Sequence, residues 1–164
     1  VAKNIKLLQS RNVQVIWQCG NAYSKEAHNL IAENAEGTKI RLVPFIERME
    51  LAYAAADIII SRAGAGTISE LCVVGKPSIL VPSPNVAEDH QTKNAMLLAS
   101  IGAALVIPDA EAMEKLILSA LDLLNDPDRC KAMAEKIKEL AVTDADERIA
   151  REVFSLTDTL KHES

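Results

Sequence analysis

Short apolar, β-branched runs alternate along most of this chain with longer stretches in which apolar residues recur every three or four positions. VQVIW at 13–17, KIRLVPF at 39–45, ADIIIS at 56–61, PSILVP at 77–82 and AALVI at 103–107 have the length and composition of strands. The stretches between them carry helix punctuation. Ser24 opens a helix over 24–35 that Gly37 ends, 49–56 forms a short one, and 67–74 stops at Gly75 with Pro77 just beyond. Another follows Asp89, runs to Ser100 and ends at Gly102. This alternation predicts an α/β fold, a Rossmann-like, doubly wound parallel sheet with helices on both faces.

From Asp109 the pattern is helical throughout. Met113, Leu116, Ile117, Ala120, Leu121 and Leu124 share one face, Asn125-Asp126-Pro127 breaks it, and two more helices are expected at about 128–141 and 144–160. The chain opens on a helix, 2–9, and not on a strand. In a doubly wound sheet the first strand lies centrally and the turn after it binds phosphate. Both are missing here, as is an initiator Met, so the chain is expected to be a piece of a longer polypeptide.

Composition narrows the function classes. A chain of 164 residues, 49% hydrophobic, buries one core, and 1–164 reads as a single domain. The net charge of -5, with acids and bases interspersed, argues against a nucleic-acid partner. The longest apolar runs fall far short of the ~18 to 20 residues of a spanning helix, so no transmembrane segment is expected. Three cysteines, Cys19, Cys72 and Cys130, are widely spaced and form neither a disulfide framework nor a zinc pattern, which suits a reducing, cytoplasmic compartment. Cys72 falls on a helix as a core residue.

The candidate chemistry lies between Asp57 and Pro77. There a strand feeds Gly64-Ala65-Gly66-Thr67 and then a helix. The first N–H groups of a helix lack intrahelical partners and sit at the positive end of its dipole, so this order of elements makes an anion site without a lysine. Glu70, one turn further in, offers a carboxylate to the two hydroxyls of a ribose. Plainer readings stand beside these. Thr67-Ile68-Ser69-Glu70 fits a capping box, Gly64 and Gly66 fit a tight turn, Gln91 fits a solvated first turn, and Arg62 fits a structural ion pair.

The segments IWQCG at 16–20, VPFIERM at 43–49, ADIIISRAGAGTISEL at 56–71, GKPSILVPSPNVAEDHQTKNA at 75–95, GAALVI at 102–107 and TDADERIAREV at 143–153 closely resemble, in order, the C-terminal half of the MurG family. These are the peptidoglycan N-acetylglucosaminyltransferases that convert lipid I to lipid II. The resemblance implies the C-terminal domain of a GT-B glycosyltransferase, with UDP-GlcNAc as the donor. It places Phe45 and Ile46 on the loop that receives uracil, with the main chain of Ile46 reading the base edge. It places Gly64, Ala65, Gly66, Thr67 and Ser69 at the diphosphate turn, Glu70 on the ribose, and Gln91, preceded by His90, on the sugar hydroxyls.

It further implies no cofactor, no metal and no catalytic base within this stretch. The base, the lipid I acceptor site and the serine-bearing glycine loop belong to segments upstream. The whole enzyme would lie at the cytoplasmic face of the bacterial inner membrane and serve cell-wall synthesis, cell shape and division, while this stretch alone would be inactive. Three alternatives stay open at this point: another UDP-sugar-dependent GT-B enzyme, a dinucleotide-binding oxidoreductase domain, and a non-catalytic interaction module. The second is opposed by Ser69 standing where a third glycine belongs.

Overall fold

A computed structural model of the chain describes residues 1–34, 39–84 and 89–162. The expected helix stop at Gly37 lies outside those residues. A 3-10 turn at Ala2–Asn4 leads into α1 (Ile5–Ser10), β1 (Val15–Gln18), α2 (Asn21–Asn34), β2 (Ile40–Val43), α3 (Met49–Ala55), β3 (Ile59–Ser61), α4 (Ala65–Val74), β4 (Ser78–Leu80), α5 (His90–Ser100) and β5 (Leu105–Val106). α6 (Asp109–Leu124), α7 (Pro127–Lys138) and α8 (Ala145–His162) complete it. Strands and helices alternate in the order expected, and every strand pairing is parallel.

Hydrogen bonding divides the strands into two ladders. β1 pairs with β2, and β3, β4 and β5 form a three-stranded sheet with β4 central. β4 is covered on both faces: Leu80 packs with Leu71, Cys72, Ala95, Leu98 and Ile137 of α4, α5 and α7, whereas Ile79 packs with Ala120, Leu123 and Met133 of α6 and α7. This is the two-sided burial that parallel strands require. α6 also reaches the other ladder, where Ile117 and Leu121 pack with Leu8, Val15 and Ile40. One amphipathic helix thus ties the two ladders together through Leu116, Ile117, Ala120 and Leu121, whereas Met113 and Leu124, read on the same face, stay exposed.

The helix ends follow from local chemistry. α4 stops at Gly75, whose φ of 65° is left-handed, and a Cβ there would meet the Lys138 side chain at 3.2 Å. The Asn125-Asp126-Pro127 break is the start of α7, with Pro127 in the first turn and the Asp126 carboxylate accepting from the Arg129 N–H. Cys72 is buried, as expected, and burial pushes its thiol pKa up, the opposite of what a nucleophile needs. Among the described residues no helix is long and apolar enough to cross a membrane.

Candidate functional site

The turn after β3 begins its helix earlier than the sequence suggests. α4 starts at Ala65, not Thr67, with Gly64 as its N-cap and no side chain capping it. The first intrahelical bond runs from the Ile68 N–H to the Gly64 carbonyl, 3.0 Å, so the N–H groups of Ala65, Gly66 and Thr67 lie ahead of the helical ladder. The capping box is therefore overturned. Thr67 lies inside the first turn, and Glu70 lies too far along the helix to reach back.

Glu70 turns instead toward α3, where its Oε2 accepts from the Tyr53 hydroxyl at 3.1 Å. Burial and the neighbouring Glu70 carboxylate both raise the Tyr53 pKa, which keeps the phenol protonated and donating. The two side chains line a depression of about 460 Å³ between α3 and α4, together with Met49, Glu50 and Ser69. The Ser69 hydroxyl donates back to the Ala65 carbonyl at 3.1 Å, a local bond within α4.

Neither glycine of the turn is demanded by backbone geometry. Gly64 has a φ of −65°, and a Cβ on Gly66 would meet nothing within 4 Å. The tight-turn reading thus finds no support. What the missing side chain of Gly66 leaves is open space at the start of α4, room for a ligand's close approach.

α5 holds this turn from the side. The Gln91 Oε1 accepts from the Ala63 N–H at 3.3 Å and from the Ser83 N–H at 2.9 Å, joining the segments that leave β3 and β4. The Asn94 Nδ2 donates to the Ala63 carbonyl at 3.4 Å. Gln91 is not a solvated bystander: both uses of its oxygen are internal, so only its Nε2 is left to face a ligand, as a donor. His90 opens α5 beside it, exposed, after Asp89 in the left-handed region at φ 54°. Arg62 donates to the Val81 carbonyl and pairs with Asp109, the structural role expected of it.

Phe45 and Ile46 follow β2, at the carboxyl end of the other ladder. Phe45 is 67% exposed, so it is not core packing. The Ile46 N–H donates to the Gln18 Oε1 at 2.9 Å. Their link to the α4 turn runs through α3, which begins three residues after Ile46 and carries Tyr53 to Glu70. Gln18, Tyr53 and Asn94 escaped the sequence reading. Asn94 had a signal, one helical turn from Gln91 on the same face. Tyr53 had none, because its partner lies on another helix. Among the described residues no group of three His, Cys, Asp or Glu side chains gathers as for a metal.

An uncapped helix start following a parallel strand, with a carboxylate one turn inside it, belongs to an α/β domain of Rossmann-like build. The sequence model of the glycosyltransferase family 28 C-terminal domain matches residues 1–149, and the chain belongs to that family. It is 47% identical over 164 residues to a UDP-N-acetylglucosamine--N-acetylmuramyl-(pentapeptide) pyrophosphoryl-undecaprenol N-acetylglucosamine transferase of Phocaeicola vulgatus, covering 100% of this chain and 44% of that protein. It is 50% identical over 146 residues to the protein of the same name in Porphyromonas gingivalis strain W83, covering 89% of this chain and 38% of the relative. The chain thus spans less than half the length of these curated relatives.

Among solved structures, Acinetobacter baumannii MurG superposes with a TM-score of 0.78 at 30% identity, over 94% of this chain and 46% of that one. The glycosyltransferase VinC, at 22% identity and a TM-score of 0.64 over 84% of this chain and 32% of its own, shares the fold.

Proposed function

We propose that this chain is the donor-binding half of an inverting N-acetylglucosaminyltransferase, which moves GlcNAc from UDP-GlcNAc to lipid I and so makes lipid II. The observation that carries the reading is the uncapped start of α4, with open space over Gly66 and the Glu70 carboxylate held one turn away by Tyr53. The diphosphate sits on the N–H groups of Ala65, Gly66 and Thr67. Glu70 takes the ribose hydroxyls, Gln91 donates through Nε2 to the sugar, and Phe45 and Ile46 receive the base.

The chemistry follows from charge. As the acceptor hydroxyl attacks the anomeric carbon, the bond to the diphosphate breaks and negative charge grows on the leaving UDP. Donors already aimed at that position stabilise the charge without reorganising. α5 contributes by fixing Ala63 through Gln91 and Asn94, so the turn cannot relax away as charge develops. The base that takes the acceptor's proton, and the acceptor site itself, are supplied by a part of the enzyme outside this chain. The whole enzyme then works at the cytoplasmic face of the membrane, where its lipid acceptor is anchored.

Calorimetric titration with UDP, UDP-GlcNAc and NAD tests the reading. Binding of the two uridine compounds alone is expected, and Glu70→Ala should weaken them ~10-fold or more, the range for losing hydrogen bonds to a charged group. NAD binding, or indifference to Glu70→Ala, would count against it.

A further inference from the structure

We infer that Tyr53 is a positioning residue acting through Glu70: its hydroxyl holds the carboxylate ready for two neighbouring sugar hydroxyls and so sets a preference for ribose over 2′-deoxyribose. The inference rests on the donor reading above, in which Glu70 meets the ribose. Tyr53 lies on α3, half-buried, and packs against the buried cluster to which Ile59, Leu71 and Leu80 belong. Its hydroxyl reaches from that core to the Glu70 Oε2 at 3.1 Å. Among the described residues no other group bonds or pairs with this carboxylate.

Glu70 has need of such a partner. It is exposed on α4, and a surface glutamate turns about several side-chain bonds, so ordering it on a ligand costs rotamer entropy. A tyrosine anchored by its ring has two torsions and acts as a stiff rod. A bond to one carboxylate oxygen also limits where the other can lie, and with about four lone-pair sites the group still accepts two further donors. Ribose brings two vicinal hydroxyls at a fixed spacing, whereas 2′-deoxyribose brings one. Both side chains line the depression of about 460 Å³ between α3 and α4, which leaves room beside the carboxylate. The phenol remains a donor because burial, then the bond to Glu70 and its charge, raise its pKa. A tyrosine that only braced α3 against α4 would alter stability and affect both sugars alike. One that acts through Glu70 alters the ratio between them.

Calorimetry with UDP and 2′-deoxy-UDP on the chain reads that ratio, with the fold checked by circular dichroism. The wild type should favour UDP by about tenfold or more, the effect of one hydrogen bond to a charged group. In Tyr53→Phe, which keeps the ring and its packing, the ratio should drop at least about threefold. On a Glu70→Ala background, Tyr53→Phe should leave UDP affinity where it finds it, because its partner is gone. A Tyr53→Phe ratio equal to the wild type's overturns the inference while leaving the donor reading intact, provided Glu70→Ala still weakens UDP. Equal wild-type affinity for the two nucleotides overturns it as well. Tighter UDP binding by Tyr53→Phe does the same, since the phenol would then compete with ribose for the carboxylate. So does a further loss of UDP affinity in the double variant, which would make Tyr53 act without Glu70. A wild-type chain that binds neither nucleotide overturns the donor reading, and this inference with it.

Discussion

The two ladders are built from the same kind of strand yet differ sharply in burial. All three residues of β4 are buried, and its neighbours lie on either side of it. No residue of β1 or β2 reaches that state, and Ile16 in the middle of β1 is 46% exposed. Among the described residues each of those strands has a single hydrogen-bonded neighbour. The difference shows that the apolar content of a strand does not set its burial; its position in the sheet does. It also divides the proposed donor site. The turn proposed for the diphosphate and Gln91 stand on the well-packed ladder, whereas the loop proposed for the base stands on the thinner one, joined to β1 by the Ile46 N–H bond to Gln18.

The comparison is sharpest at the two strand centres. Leu80→Ala should cost about 2–5 kcal/mol, the range for emptying a fully buried leucine site, whereas Ile16→Ala should cost well under half of that. Urea unfolding of the two variants measures it, and equal losses would erase the distinction between the ladders.

A smaller effect separates ligand space from protein space at the α4 turn. Gly66→Ala places a methyl group where, beyond its chain neighbours and the backbone of its own helix, no described atom lies within 4 Å. Thermal stability should hold or rise slightly, by up to about 1 kcal/mol, because the unfolded chain loses freedom. UDP affinity should fall about tenfold, and calorimetry reads both halves of the statement on one sample. A methyl that leaves UDP binding unchanged would place the diphosphate elsewhere.

The smallest effect concerns the strut between α3 and α4. Tyr53→Phe removes the donor to Glu70, and with it about 0.5–1.5 kcal/mol of stability at neutral pH. Because the folded state holds the phenol protonated with a pKa above 10.0, the stabilisation is complete below that pH and fades as pH rises through the raised value. Absorbance titration should show a tyrosinate component rising above pH 10.0 that the variant lacks. The chain has 2 tyrosines, which makes the assignment direct.

The order of strands and helices, the parallel class, the amphipathic stripe of α6 and the Asn125–Pro127 break were all legible in the chain, because each depends on local periodicity and turn chemistry. The glycine turn was legible too, although its helix starts two residues earlier, at Ala65. A propensity signal does not resolve which of several small residues takes the first helical φ and ψ. Hydrogen-bonding partners distant in sequence were beyond such reading. Nothing local shows that Glu70 answers to Tyr53, that Gln91 spends its oxygen on Ala63 and Ser83, or that Gln18 takes the Ile46 N–H. Residue type and spacing carry what a segment does by itself. Which donor meets which acceptor across the fold, and which strand ends up between two others, follows from how the segments pack, and that belongs to the folded chain alone.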